Sequence, residues 1–146
     1  MTPGVAVEIF NRQHELLHLF RSRMRQRMES VCAELTFSEM RVLMHTGRHA
    51  DLTQKELVER SQVDKAQMAR MLASLERKGL LERRPSESDR RVRCLRLSNR
   101  GQQLFAQLQI EQERAAEEVL AHSPCELQKQ LLSLLQQVRG NVERDA

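Results

Sequence analysis

At 146 residues the chain is one domain, or one domain with long helical extensions. Aromatics make up 3%, with no Trp or Tyr, and there are only five Gly and three Pro, so Leu and Met must fill a core suited to helices rather than an extensive sheet. The net charge of +4 is unevenly held: residues 65–100 carry eleven Lys and Arg against four Asp and Glu, a local +7 that leaves −3 elsewhere, which is an electrostatic footprint for a polyanion.

No apolar run is long enough to span a membrane. The opening Met1, Thr2, Pro3 and Gly4 lack the basic-then-apolar order of a secretion signal. Cys32, Cys94 and Cys125 are odd in number and widely spaced, which argues against a disulfide framework. A cytoplasmic, nucleoid-associated protein with no membrane partner is the expectation.

In chain order, residues 5–31 read as a long amphipathic helix. Phe10, Leu17, Phe20, Met24, Met28 and Val31 recur at three- and four-residue steps, close to a heptad seam that needs a partner. Residues 35–46 are the next helix, with Met40, Leu43 and Met44 on its inner face and Gly47 as its stop. Residues 49–52 form a brief strand. Thr53 starts a short helix to Arg60, Ser61-Gln62-Val63 is a turn, and Asp64 starts a helix that ends at Gly79.

Three of these starts share a local logic. In Thr36/Glu39, Thr53/Glu56 and Asp64/Gln67 a polar cap precedes Glu or Gln by three residues, so that side chains can satisfy orphan backbone N–H groups. Apolar pairs Leu35/Met40, Leu52/Leu57 and Val63/Met68 flank them as hydrophobic staples. Residues 80–84 and 91–97 are strand-like and joined by the polar tip 85–90. Helix, tight turn, helix and basic hairpin is the order of a winged helix-turn-helix, which places one helix in the major groove of DNA.

Ser98 and Asn99 start another helix, running to about Ala121. Leu104, Leu108, Ala115 and Val119 mark one face, and Glu111, Glu113, Glu117 and Glu118 load the other. Ser123-Pro124-Cys125-Glu126 combines a capping box with Pro at the first helical position. Leu127, Leu131, Leu134 and Val138 form the last inner face, before a frayed tail at Gly140. The fold class is therefore mainly α: a winged helix-turn-helix with a small β-hairpin wing, plus long N- and C-terminal dimerisation helices. Residues 1–35 are the N-terminal dimerisation helix, 36–97 the DNA-binding domain, and 98–146 the C-terminal dimerisation helices. Phe10, Leu17, Phe20, Leu127, Leu131, Leu134 and Val138 are the expected contacts of a homodimer.

Within residues 64–78, Met68, Met71, Leu72 and Leu75 define the inward stripe, leaving Lys65, Gln67, Ala69, Arg70, Ser74 and Arg77 opposite. Arg70 can pair bidentately with guanine, and Gln67 with adenine, although Asp64 and Gln67 also have capping work. Arg77 suits a phosphate, while Thr53, Gln54 and Gln62 lie where the first helix and turn meet the backbone of the duplex. At the hairpin tip Arg90 or Arg91 can enter a narrow minor groove, with Asp89 as the support that aims it. The expected partner is double-stranded DNA with a pseudo-palindromic operator, its half-sites about one helical turn apart.

Leu35-Thr36, the run Leu-Glu-Arg-Lys-Gly-Leu-Leu-Glu-Arg over 75–83, Ser88-Asp89-Arg90-Arg91, Leu95-Arg96-Leu97-Ser98 and Gly101 resemble the MarR family of bacterial regulators. The resemblance covers about residues 5–140 and is most specific over 75–101. It implies a winged-helix dimer with interlocked first, fifth and sixth helices, a wing arginine at Arg91 or Arg90, and a recognition-helix arginine at Arg70. It also implies a repressor released by a small, often phenolic, ligand bound between the arms and the DNA domain, where His14, His18, Arg21, Met40 and Met44 are candidates. Ser98 stands where the family more often has Thr.

Two other chemistries compete. His14-Glu15-Leu16-Leu17-His18 matches the H-E-x-x-H string of zinc proteases, but no third ligand or second lobe accompanies it. His45 and His49 also have metal spacing, with Gly47 expected to break the helix between them. Cys125, near a helix start, is the best placed of the cysteines for oxidant sensing, although Glu126 opposes a thiolate there. A metal- or oxidant-responsive regulator of the same fold is the alternative, and a metal-binding helical enzyme is the more remote one. No cofactor or catalytic site is expected.

Overall fold

A computed structural model describes residues 4–145. Met1, Thr2 and Pro3, part of the stretch without a signal pattern, lie outside them. The elements are α1 (Val5–Glu29), α2 (Phe37–Arg48), α3 (Gln54–Arg60), α4 (Lys65–Arg77), β1 (Leu81–Pro85), β2 (Arg93–Leu97), α5 (Asn99–Val119) and α6 (Cys125–Arg144). Among the described residues no helix is long and apolar enough to cross a membrane.

The three caps form as their spacing predicts. Thr36 Oγ1 accepts the Glu39 N–H at 3.1 Å, Thr53 Oγ1 the Glu56 N–H at 3.1 Å, and Asp64 Oδ1 the Gln67 N–H at 2.8 Å. Each such bond is worth about 1 kcal/mol. Only the first is a reciprocal box, with Thr36 N–H donating to Glu39 Oε1 at 3.2 Å. At α4 the end is equally well defined. Gly79 turns left-handed at φ 73°, its N–H bonds Glu76 O, and the Leu80 N–H reaches back to Leu75 O, both at 3.0 Å.

Other punctuation differs from expectation. Gly47 does not stop α2, which continues to Arg48 and ends on His49. Its missing side chain instead makes room for Phe105, since a Cβ there would stand 2.6 Å from Phe105 Cδ2. Ser123 does not cap α6: Pro124 occupies the cap with no side-chain bond, and Gln128 Nε2 donates to Ser123 O at 2.9 Å. Gly140 lies inside α6, which runs on to Arg144. Residues 49–52 supply a single bridge, Leu52 to Leu95, rather than a strand.

The chain divides into two compact units, residues 4–23 with 114–145, and residues 24–113. The second contains the whole of the expected DNA-binding portion. Its core is Met28, Met40, Leu43, Leu57, Met68, Leu72, Leu75, Leu95 and Leu108, all less than 2% exposed. Burying each such side chain contributes about 1.5–3 kcal/mol. The wing is a two-stranded antiparallel sheet in the register Leu81↔Leu97, Arg83↔Leu95 and Pro85↔Arg93. Leu52 O accepts the Leu95 N–H at 2.8 Å, which ties the hairpin to the start of α3. An isolated hairpin is marginal, so this anchorage and the burial of Leu81, Leu95 and Leu97 give the wing its rigidity.

In the first unit Ala115 is buried, but most of the large apolar side chains stay in the open. Phe10 is 67% exposed, and Leu127, Leu131, Leu134 and Val138 are all exposed, with no residue of α6 buried. Leu17 is exposed as well and Phe20 half-buried. Of the heptad seam, Met24 and Met28, which belong to the second unit, are buried, and Phe20 and Val31 are half-buried.

Candidate nucleic-acid interface

A helix can read DNA only if one face is anchored and the other is bare. Met68, Met71, Leu72 and Leu75 anchor α4, each buried. Lys65, Gln67, Ala69, Arg70 and Arg77 stand exposed on it. Ala66 is exposed beside them, a position missed by an apolar-versus-polar count because alanine fits either face. The side chains of Lys65, Arg70 and Arg77 have no bonding partner among the described residues, so their donors are available. Gln67's backbone N–H is taken by Asp64 and its amide side chain is not, so capping and reading do not compete there.

Ser74 departs from the expected set. It is half-buried, and its hydroxyl donates to Glu39 Oε2 at 2.8 Å rather than standing on the bare face. The reason is helical phase: Ser74 lies at the border of the buried stripe, where α2 offers a carboxylate. Gln54 is also engaged, accepting from Arg83 Nη2 at 3.0 Å, and Arg83 Nε donates to Glu76. One arginine on β1 thus ties together α3, α4 and the wing. Thr53 caps α3 and Asp64 caps α4, while Gln62 is exposed in the turn between them.

At the wing tip Arg90 is exposed and the Arg91 side chain is 92% exposed. Asp89 Oδ1 accepts the Arg91 backbone N–H at 3.0 Å and faces its Nε at 3.5 Å, and Val92 N–H closes the turn on Asp89 O at 3.0 Å. Asp89 therefore shapes the tip chiefly through the backbone. At the wing's base, Arg96 Nε donates to Asp51 Oδ1 at 2.5 Å, and this bond holds the Asp51 carboxyl below its ordinary pKa.

The residues expected to line a ligand pocket do not share one setting. His14, His18 and Arg21 are exposed in the first unit, whereas Met40 and Met44 are core residues of the second, 0% and 2% exposed. Met40 and Met44 are buried because α2 packs against both α4 and β2. A cleft of about 170 Å³ in the second unit is lined instead by Val31, Cys32, Lys78, Leu80, Arg100 and Leu104, among others. Among the described residues no three His, Cys, Asp or Glu side chains are grouped to hold a metal. The Glu15 carboxylate accepts from Arg12 at 3.0 Å. Gly47 leaves α2 unbroken, so that His45 lies in its last turn and His49 is its C-cap, ring centroids 4.8 Å apart. Cys125 is exposed, Cys32 half-buried and Cys94 buried.

Comparison with known proteins meets this geometry. A family model described as MarR family matches residues 33–92, from the lead into α2 through the wing tip. The chain is similar to the HTH-type transcriptional regulator YdgJ of Bacillus subtilis (strain 168), with 28% identity over 111 residues, 76% of this chain and 68% of that protein. Wild-type MarR from E. coli, in its apo form, shares the fold at a TM-score of 0.74 and 22% identity, over 94% of this chain and 98% of that one. A MarR transcriptional regulator from Methanosarcina mazei Go1 does so at 0.75 and 18%, over 94% and 98%. These relatives are regulators rather than enzymes. The chain thus carries a MarR-family match through its helix-turn-helix and wing, is similar to an HTH-type transcriptional regulator, and shares the winged-helix fold of MarR structures.

Proposed function

We propose that the chain is a homodimeric repressor, working on the chromosome in the cytoplasm, that grips a pseudo-palindromic operator until a small ligand loosens it. The observation that carries this reading is the bare half of α4, where Lys65, Gln67, Ala69 and Arg70 stand exposed opposite a fully buried apolar stripe. Arg70 reads a base edge in the major groove, Lys65 and Arg77 meet phosphates, and Arg91 or Arg90 enters the flanking minor groove. Exposed Phe10, Leu17, Leu127, Leu131, Leu134 and Val138 favour a second copy as the cover for residues 4–23 and 114–145. By family likeness the effector is small and aromatic or phenolic.

Light scattering and footprinting on duplexes selected from a random pool test the reading together. A dimer protecting two half-sites about one helical turn apart is expected. A monomer protecting a single half-site would sink it. A thermal-shift series of phenolic acids, metals and oxidants then identifies the effector class, and a compound that both raises the melting temperature and releases DNA is the expected hit.

A further inference from the structure

Among the described residues Glu39 is the single buried charged side chain, 7% exposed. It sits on α2, yet its carboxylate serves two helices. Oε1 accepts the Thr36 N–H at 3.2 Å and closes the capping box. Oε2 takes two donors from the end of α4, the Ser74 hydroxyl at 2.8 Å and the Lys78 ammonium at 3.3 Å. Lys78 Nζ also donates to Glu34 O at 2.7 Å, so the ammonium is held from two sides.

A cap needs only one oxygen, and the second does something a cap does not require. Apolar packing through Met68, Met71, Leu72 and Leu75 is non-directional and leaves a helix some freedom to roll and slide. Ser74 and Lys78 are one helical turn apart, so a carboxylate bonded to both resists roll and axial slip together. Arg70 lies one turn further toward the start of α4, on the same rigid rod. Reading a base edge tolerates an error of only about 0.5 Å.

We propose that Glu39 is a positioning residue for DNA reading: through Ser74 and Lys78 it fixes the roll and axial position of α4, and so the register in which Arg70 meets the bases. This rests on α4 being the reading helix. Glu39 touches no DNA itself, so its loss blurs discrimination while leaving the phosphate-contacting Lys and Arg in place. An amide at this position can still accept from Thr36 and bond Ser74 but cannot pair with the Lys78 charge, so Glu39→Gln restores discrimination only in part.

The test measures affinities of the full-length protein for a selected operator and for a scrambled duplex. The variants are Glu39→Ala, Glu39→Gln, Ser74→Ala, the Glu39→Ala/Ser74→Ala double and Arg70→Ala, all at a temperature where each is folded by circular dichroism. Glu39→Ala should lower the operator-to-scrambled ratio about tenfold, with scrambled-duplex affinity held within about twofold. Ser74→Ala should lower the ratio by less, and the double variant should be no worse than Glu39→Ala, because the two act through one bond. A ratio unchanged in Glu39→Ala but collapsed in Arg70→Ala would overturn the positioning role and leave α4 as the reader. Additive losses in the double variant would overturn it equally. A ratio unchanged in Arg70→Ala would remove α4 as the reader, and the positioning role with it. Should Glu39→Ala not fold, Ser74→Ala and Glu39→Gln decide the matter, and an unchanged ratio in both counts against the proposal.

Discussion

Gly101 lies so close to Leu80 that a Cβ on it would stand 2.1 Å from the Leu80 carbonyl oxygen. That carbonyl is already fixed, accepting the Ser98 N–H at 3.0 Å. The Ser98 hydroxyl in turn donates to Gly79 O at 2.6 Å and accepts the Gly101 N–H at 3.0 Å. The exit from α4, the end of β2 and the start of α5 thus converge on one backbone contact. Gly101→Ala must move backbone and should cost about 2–4 kcal/mol in urea unfolding. Gly47→Ala meets only the Phe105 ring and regains about 1 kcal/mol of helix propensity, so its net cost should be clearly smaller. Equal costs for the two variants would contradict this ordering.

Base reading and groove sensing should separate by mutation. Arg70→Ala should cost about 1–3 kcal/mol on the operator and relax preference at one position per half-site. Arg90→Ala and Arg91→Ala together should weaken binding and blunt preference for a narrow A·T-rich flank, with major-groove preference unchanged. A base-substitution series on both variants reads this directly. Full-strength, unaltered binding by the combined variant would leave the interface without its contacts.

Salt gives an independent measure of the same surface. Lys65, Arg70, Arg77, Arg90 and Arg91 are exposed, so the proposed dimer should release many condensed counterions on binding DNA. Between about 50 and 200 mM salt the affinity should fall by about 10³-fold or more. A flat response would remove residues 65–100 as the footprint.

Acid should destabilise the fold in two stages. Burial, with the positive field of His49, Arg48 and Arg60, holds His45 below the ordinary histidine pKa, and its Nε2 is buried without a hydrogen-bond partner. The fold therefore favours the neutral ring and the unfolded chain takes up the proton first. This contribution is complete above pH about 6.5 and is lost as pH falls through the lower folded value. Glu39 follows at lower pH. Burial works to raise its pKa, but bonds from Ser74, the Thr36 N–H and Lys78, with the Lys78 charge, outweigh that and lower it. Its contribution is present above the ordinary carboxylate range and is lost only below it. Melting temperatures measured from neutral pH downward should decline in wild type, and His45→Gln should flatten the first decline while leaving the second. A first decline of full size in His45→Gln would show that another group causes it.

Features written in a few adjacent residues were legible in the sequence. The caps at Thr36, Thr53 and Asp64, the left-handed exit at Gly79 and the hairpin around 85–90 all depend on local backbone chemistry. Features set by a distant neighbour were not. Gly47 looks like a helix stop because only Phe105, far along the chain, explains it. Ser74 counts as an outward residue by its polarity, and only the carboxylate of Glu39 shows that this border position turns inward. Glu39 itself was visible as half of a capping box, and nothing local showed where its second oxygen would point. Met40 and Met44 matched an inner face but could not be told from pocket walls without knowing that α2 is covered by both α4 and β2.

The exposed leucines of α6 carry a quantitative consequence. Where a second copy covers them, folding of residues 4–23 and 114–145 becomes a second-order process, and the melting temperature rises with total protein concentration. Operator occupancy then climbs more steeply than in direct proportion to the number of chains present. A small change in synthesis rate would be amplified at the promoter before any effector is bound.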